Sequence, residues 1–400
     1  MQKSQSPREY FKQPIVDKPI EQIYADLDSY TWERLIGDDY IEERAFAKVL
    51  LPPVCYQQRF LKGLCYSPST DALLGHCAEM GNLFVTMAIS MCCSYPWSEA
   101  ADAYLTYYDN PERAQWFRQT RPAVRASKVM IPLADADFTN ERFFAPIDLP
   151  HGRSLDLLTV STLWEEKNLP IVLEAVKIYS AKYRPISMAL MIGRELSDLS
   201  DREQQELAKI QALIEDLGPN FELIERVNHG VINEFYARSK VCVLGSLLEG
   251  SNRSIKEAMC CDTPIVCFKQ YNQYARGNSK IFPPGAGLCA EFGSEPLADA
   301  IHEVLENRAS FTPRASYLAA GGGRASFFNQ CMDQLPYYRE SLPGYTAGKH
   351  TTNEWLNAAI IDNYGVTLED FIYGEDKLSW IIGLSTLQKT MQCFRETIGL

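Results

Sequence analysis

Long apolar runs are missing from this 400-residue sequence, and no stretch reaches the roughly 18 uncharged apolar residues that would cross a bilayer. The longest candidate, "GNLFVTMAISMCCSYPW" at 81–97, ends in a proline-containing turn, and we interpret it as a buried strand. The first residues, "MQKSQSPREYFKQPIVDKP", lack the apolar core of a secretory signal. We therefore expect a cytoplasmic protein without a transmembrane segment.

Basic residues, histidine and metal-ligand motifs are also scarce. Lysine and arginine number 39 against 51 acidic residues, which gives a net charge of −12. Nucleic-acid backbones bind basic protein surfaces, so this acidic balance argues against a nucleic-acid partner. Local basic patches are still compatible with the composition, which leaves a peripheral membrane contact open. The 12 cysteines form no CxxC pair and no zinc-type cluster with the five histidines. We interpret the cysteines as buried free thiols and expect no metal.

Alternating strand and helix patterns fill the region after residue 152. Continuous apolar runs at 155–162 and 186–193 have the length of strands, and the segments 169–183 and 201–218 repeat apolar residues at helical spacing. Strands that are buried on both faces and alternate with helices indicate an α/β class with a parallel, doubly wound sheet. Because 400 residues exceed a single hydrophobic core, we expect two domains.

We place an α/β domain at 1–150, with a loose arm to about residue 23, and a Rossmann-like domain at 151–325. Helices at 326–400 are expected to cross back to the N-terminal domain through the flexible junction "AAGGGR". The first domain is the harder half to interpret. Its predicted strands are 47–54, 59–67, 82–90 and 127–133, and its predicted helices are 69–81 and 98–108.

Two glutamates flank a predicted helix start in "SLLEGSNRSIKEAMCCDTPIV" at 246–266. Glu249 follows a strand, at the edge of the sheet where ligands bind in doubly wound folds. Glu257 lies about one turn into the helix, whose free N–H groups favour an anion. A carboxylate can accept both hydrogen bonds of a ribose diol, so the pair suits a nucleotide-sugar. The alternative is that Glu249 caps the helix and Glu257 is solvated.

The same stretch resembles the retaining GT-B glycosyltransferases of family four, the E-x7-E group. The matching positions are Ser246, Glu249-Gly250, Glu257-Ala258-Met259 and Pro264-Ile265-Val266, and the similarity covers about 152–308. The resemblance implies two Rossmann-like, doubly wound domains that face a central cleft, the N-terminal one divergent. It further implies that Glu257 binds the donor ribose, Glu249 the donor sugar and Lys167 the diphosphate, with the loop Gly250, Ser251 and Asn252 along the donor.

The sequence departs from that family where Ser161-Thr162 replace the usual Gly-Arg, so one phosphate-binding charge is missing. Arg253 is our candidate replacement, because a guanidinium matches phosphate oxygens. The alternatives are that the hydroxyls of Ser161 and Thr162 suffice, or that an arginine from the N-terminal half supplies the charge. We expect His229 to contact the base or a phosphate, and His76 to lie on the acceptor side.

The resemblance implies a hexosyltransferase that uses a nucleotide diphosphate sugar as donor substrate and a hydroxyl of a glycan, glycolipid or small molecule as acceptor. No cofactor is required if Lys167, Arg253 and the helix N-terminus carry the charge. The alternative is a non-catalytic GT-B-fold protein that binds a nucleotide-sugar or a partner. A DNA-glucosylating enzyme shares the fold, but the acidic composition argues against it.

Overall fold

The computed structural model describes residues 48–67, 80–89, 101–105, 129–133, 137–150, 152–247, 251–269 and 282–374. These residues form two compact units. The first contains the described residues up to 135 together with those from 324 onward, and the second contains those of 136–323. Each unit has its own largely parallel sheet, so the predicted α/β class with two Rossmann-like units is confirmed.

The sheet of the second unit has six strands in the order β10-β9-β8-β11-β12-β13, and every paired neighbour is parallel. The order reverses between β8 and β11, which is the hallmark of a doubly wound sheet. The strands are β8 (Leu155–Ser161), β9 (Met188–Ile192), β10 (Phe221–Ile224), β11 (Ser239–Val243), β12 (Ile265–Phe268) and β13 (Gly287–Ala290).

Helices cover both faces of this sheet. They are α2 (Leu169–Lys182), α3 (Asp201–Leu217), α4 (His229–Arg238), α5 (Arg253–Cys260), α6 (Ser294–Glu306) and α7 (Pro313–Ala319). Alternate residues of one strand enter different cores: Leu157 packs with α2 and α6, whereas Leu158 packs with α4 and α5. This two-sided burial explains why the strands are apolar throughout.

Short polar side chains begin the helices that approach the carboxyl edge of this sheet. Ser200 accepts from the Glu203 N–H, and Glu203 bonds back to the Ser200 backbone, which forms a capping box at α3. Asn228 caps α4 and Asn252 caps α5, each through a side-chain oxygen that accepts a backbone N–H. The helix starts are therefore fixed locally by the sequence.

The first unit contains a five-stranded sheet in the order β1-β4-β5-β6-β7. Its β1 runs antiparallel to β4, and the remaining neighbours are parallel and follow chain order, which is the divergence expected for this half. The strands are β1 (Lys48–Leu51), β4 (Gly63–Ser67), β5 (Phe84–Ile89), β6 (Ala103–Leu105) and β7 (Val129–Ile131), with a separate β2 (Val54–Tyr56) and β3 (Arg59–Leu61) hairpin.

One element prediction in this unit is wrong. The segment 98–108 was expected to be helical, yet its residues 103–105 form β6 between β5 and β7. Ala103, Tyr104 and Leu105 are all fully buried. A short strand that is buried on both faces carries no alternation, so periodicity alone does not separate it from a buried helix.

The first unit also holds helices α1 (Met80–Leu83), α8 (Arg324–Gln334), α9 (Pro336–Ser341), α10 (Glu354–Tyr364) and α11 (Leu368–Tyr373). The late helices bond to the early strands: Asn363 exchanges two hydrogen bonds with the Cys55 backbone, at 3.0 and 3.3 Å. Tyr338 donates to the Gly63 carbonyl at 2.8 Å. The segment after residue 323 thus packs against strands 275 to 308 positions earlier in the chain.

The division between the units falls at 135/136, whereas the sequence suggested 150. Residues 137–150 belong to the second unit because α4 and α5 hold them: Asp137 pairs with Lys256, and Asn233 donates to the Phe143 carbonyl at 2.9 Å. At the second boundary between the units, 323/324, α7 ends at Ala319, which is the first residue of the predicted junction "AAGGGR".

The cysteine expectation needs one correction, because Cys55 is disulfide-bonded. The other described cysteines are not disulfide-bonded, namely Cys65, Cys242, Cys260, Cys261, Cys267, Cys289 and Cys331. Within the part of the chain that the structure describes, no helix has the length and apolar character needed to span a membrane.

Candidate functional site

The candidate site lies where the strand order reverses, at the carboxyl ends of β8 and β11. Parallel strands release their following loops at one edge, so the loop after Ser161 and the loop after Val243 emerge side by side. The first loop carries Lys167, and the second leads into α5. The structure therefore brings Lys167 and the start of α5 to the same edge of the second unit.

The loop that carries Lys167 is tightly fixed. Residues Glu165–Lys167 form one 3-10 turn, which ends at Asn168 in the left-handed region at φ 48°. The Asn168 side chain donates to the Gly245 carbonyl at 2.9 Å. A Cβ at Gly245 would lie 2.5 Å from the Lys167 carbonyl oxygen, so only glycine permits this approach. The position of Lys167 thus depends on contacts with the second loop.

Glu257 is a buried side chain of α5, with only 7% of its surface exposed. The fully buried Tyr236 of α4 donates to Glu257 Oε2 at 3.1 Å. Burial, and next the Glu257 carboxylate, raise the pKa of Tyr236 well above its ordinary value, so the phenol stays protonated as a donor. The alternative of a solvated Glu257 is wrong, since a carboxylate is buried in this way only when it is partnered.

The start of α5 combines structural and accessible groups. Asn252 is the helix cap, and its side chain accepts the Ile255 N–H at 3.3 Å. Ser251 Oγ accepts from Lys256 Nζ at 2.7 Å, and the same ammonium pairs with Asp137. Arg253 is the first residue of the helix and is exposed. Its place at the positive end of the helix dipole is compatible with the predicted anion contact.

The Ser161-Thr162 pair that replaces Gly-Arg stands at the end of β8. Ser161 Oγ donates to the Thr162 carbonyl at 3.1 Å. Thr162 Oγ1 is buried and has no hydrogen-bond partner among the described residues. A buried hydroxyl without a partner is uncommon in folded proteins, so the Thr162 side chain has unused hydrogen-bonding capacity.

The predicted histidines differ in what the structure says of them. His229 is the exposed first residue of α4, not part of a loop before it, and its ring lies edge-on to Phe144 at a centroid distance of 6.4 Å. His76 lies outside the described residues, and so do Glu249 and Gly250. The structure therefore places Lys167, Thr162, Ser251, Asn252, Arg253, Glu257 and His229 but leaves those three positions as predictions.

A partly buried arginine, Arg153, supports the C-terminal end of α5. Arg153 donates to the carbonyls of Tyr236, Ser239, Cys261 and Asp262 and to Thr263 Oγ1. Burial lowers the pKa of Arg153 to about 10, and the nearby Arg308 adds to the shift. Asp262 itself has φ 55°, in the left-handed region that favours glycine.

Sequence reasoning missed several residues around the site, among them Trp164, Arg202, Tyr236 and Lys256. Tyr236 and Lys256 occupy positions in helices that look like ordinary core or surface positions. Asp137 belongs to no motif of the sequence analysis, yet it pairs with Lys256 beside Ser251. No sequence signal links these pairs, since their partners are 21 to 119 positions apart.

Metal ligands do not cluster in the described part of the chain: no group of three or more His, Cys, Asp or Glu side chains there could hold an ion.

A family model matches this region: residues 142–319 match "Glycosyl transferases group 1". The resemblance to GT-B glycosyltransferases that the sequence predicts is thereby confirmed for the second unit. A comparison with curated proteins returned no match.

Solved structures of glycosyltransferases are similar at low identity. Sucrose-phosphate synthase from Thermosynechococcus elongatus is 16% identical with a TM-score of 0.42, over 63% of this chain and 64% of that one. The pneumococcal O-GlcNAc transferase GtfA, in complex with UDP and GlcNAc, is 16% identical with a TM-score of 0.45, over 66% and 54%. Anabaena HepE, in complex with UDP and glucose, is 17% identical with a TM-score of 0.44, over 64% and 72%. This chain thus spans less than two thirds of the first two proteins, and likeness at this level says nothing about donor, acceptor or mechanism.

Proposed function

We propose that the protein is a retaining glycosyltransferase that moves a hexose from a nucleotide diphosphate sugar to a hydroxyl group of a glycan, glycolipid or small molecule. One observation supports the proposal most strongly: the loop with Lys167 and the start of α5 meet where the strand order of the sheet reverses. The region that contains them matches group 1 glycosyl transferases. Such a reversal is where nucleotides bind in doubly wound sheets. We place this reaction in the cytoplasm.

Each residue has a separate role in the proposed reaction. Glu257 accepts hydrogen bonds from the donor ribose through a carboxylate that Tyr236 holds in place. Lys167 and Arg253 carry positive charge to the diphosphate, which gains charge as the sugar leaves. Glu249 and the loop of Gly250, Ser251 and Asn252 contact the donor sugar.

The proposed mechanism uses no metal ion. The N-terminus of α5 adds the positive end of its dipole to the two cations. In a retaining transfer the departing phosphate can itself accept the proton of the acceptor hydroxyl. His229 then serves as a contact to base or phosphate, and His76 as an acceptor-side residue.

The first test is affinity for nucleoside diphosphates, measured by calorimetry with UDP, GDP and ADP. Glu257→Ala should weaken binding of the best of them by about 1.5–3 kcal/mol, since it removes a charged acceptor. Glu234→Ala is the matched control, because that carboxylate is on α4 with a side chain 53% exposed. Unchanged affinity in a folded Glu257→Ala protein would remove Glu257 from the site.

The second test is turnover of the matching nucleotide-sugars, with and without EDTA. Glu249→Ala and Arg253→Ala should abolish most release of the nucleoside diphosphate, Arg253→Lys should keep part of it, and EDTA should have no effect. If the turnover of Arg253→Ala is within about twofold of the unaltered protein, a difference of about 0.4 kcal/mol in the activation barrier, Arg253 has no role in the reaction. Donor binding without any turnover would instead favour the non-catalytic alternative.

A further inference from the structure

A cation–aromatic cluster lies beside the proposed diphosphate lysine. Trp164 is 43% exposed, although large aromatic side chains are usually buried. The backbone N–H of Lys167 donates to the Trp164 carbonyl at 2.9 Å, so the two residues share one turn. The Lys167 ammonium lies 5.9 Å from the centroid of the indole ring, within the range of a cation–π contact.

Arg202 of α3 completes the cluster from another element. Its guanidinium lies 6.0 Å from the centroid of the same indole ring. Its Nη2 also forms an ion pair of 2.8 Å with Glu166 Oε2. Burial raises the pKa of Glu166, but the hydrogen bond and charge of Arg202 and the charge of Lys167 lower it overall, so this carboxylate is ionised at neutral pH.

The indole ring also has a polar contact through its N–H group. Its N–H lies beside the buried Glu203 carboxylate of the α3 capping box. Burial raises the pKa of Glu203, and bonds from Ser200, the charge of Arg194 and the Trp164 N–H lower it. The indole therefore contacts the helix cap through its N–H group and the two cations through its ring.

The loop that carries Lys167 also carries negative charge, which the cluster offsets. Two carboxylates, Glu165 and Glu166, immediately precede Lys167 and would both repel a diphosphate and attract the ammonium. Arg202 neutralises Glu166, and the indole face offers Lys167 a position that does not require either carboxylate.

We propose that Trp164 and Arg202 are positioning residues that hold Lys167 ready for the donor diphosphate, a role that rests on the proposed function. Trp164 limits the rotamers of Lys167, and Arg202 keeps Glu166 from pairing with it. Neither residue contacts the donor in this scheme.

A double-mutant cycle tests the role, with affinities for UDP, GDP and ADP measured by calorimetry. Trp164→Leu and Arg202→Gln should each weaken the best diphosphate by about two- to fivefold, the range of an exposed cation–π contact. Trp164→Phe should restore part of the loss because it keeps an aromatic face. In a Lys167→Ala background, Trp164→Leu should have no further effect.

The matched control is Arg238→Gln on α4. Arg238 also stacks on an aromatic ring, Phe235, at 5.2 Å and pairs with Glu234 at 3.6 Å, but it precedes β11 at the opposite edge of the sheet. The affinity of Arg238→Gln for the best diphosphate should equal that of the unaltered protein.

Three outcomes would overturn the proposal. If the unaltered protein binds none of the three diphosphates, the proposed function fails together with this inference. If Lys167→Ala weakens binding but Trp164→Leu and Arg202→Gln do not, only the inference fails. An equal loss for Trp164→Leu with and without Lys167 would show a general structural effect. Should Trp164→Leu not fold, Trp164→Phe and Arg202→Gln complete the same cycle.

Discussion

Tyr236→Phe is the most direct perturbation of the buried pair at the site. The change removes one hydroxyl group, the donor at 3.1 Å from Glu257 Oε2, and leaves the ring that fills the core between sheet and helices. The cavity term is small, because only the hydroxyl oxygen is removed and the ring volume is unchanged. A hydrogen bond to a charged group contributes about 1.5–3 kcal/mol, so the free energy of unfolding should fall by that amount.

The assay is urea unfolding followed by circular dichroism, with Tyr183→Phe as the matched control. The Tyr183 hydroxyl also donates to a carboxylate, Asp299 Oδ1 at 2.8 Å, but in an exposed setting. Exposed polar contacts contribute little, so the control should lose less than about 1 kcal/mol. Because burial keeps the Tyr236 pKa high, the difference between the two variants should be the same at pH 6 and at pH 9.

The same variant should weaken nucleoside diphosphate binding, since a carboxylate without its buried donor must be ordered by the ligand. A loss of about 0.7–1.4 kcal/mol, or about three- to tenfold, is expected from part of the hydrogen-bond energy. The reasoning is refuted if Tyr236→Phe and Tyr183→Phe have the same midpoint and slope of unfolding. Such a result would mean that the hydroxyl contributes nothing to holding Glu257.

Three further predictions concern residues of the second unit. Asp156 is buried; burial raises its pKa, but two cations and a backbone N–H outweigh this and lower the pKa to about 2. The ionised Asp156 therefore adds about 2 kcal/mol to the free energy of unfolding above about pH 4, and this contribution is lost as the pH falls through 2. In urea unfolding, the stability difference between Asp156→Asn and the unaltered protein should shrink over that pH range. Asp262 has φ 55°, so Asp262→Gly should keep the free energy of unfolding within about 1 kcal/mol of the unaltered protein, although the hydrogen bond from the Arg314 N–H is lost. Asp262→Val loses the same bond and adds backbone strain, so it should lower the free energy of unfolding by about 2 kcal/mol in the same assay. Equal values for the two variants would contradict the strain argument. Gly245→Ala places a Cβ 2.5 Å from the Lys167 carbonyl, so it should lower both the thermal midpoint and the diphosphate affinity. An unchanged affinity would show that the position of Lys167 does not depend on the loop that contains Gly245.

Local patterns account for most of what could be predicted about the second unit. The strand at 155–162 and the helix at 169–183 correspond to β8 and α2 within a residue, because a buried strand and an amphipathic helix each have a distinct period. Asn228 and Asn252 cap α4 and α5 through contacts with residues three positions later. The position of Glu257 near the start of α5 follows from the same local signals.

Contacts between distant segments could not be predicted in this way. The sequence alone determined the α/β class and the alternation of elements in the second unit, since these depend on neighbours along the chain. It offered Glu249 and Glu257 as candidates through their spacing around a helix start, and Lys167 through the family resemblance. Only the tertiary structure decided that Tyr236 holds Glu257, that Arg202 and Trp164 flank Lys167, and that 103–105 is a strand. The physical reason is that hydrogen bonds, charge pairs and two-sided burial depend on which segments pack together, and periodicity records only whether a residue is buried.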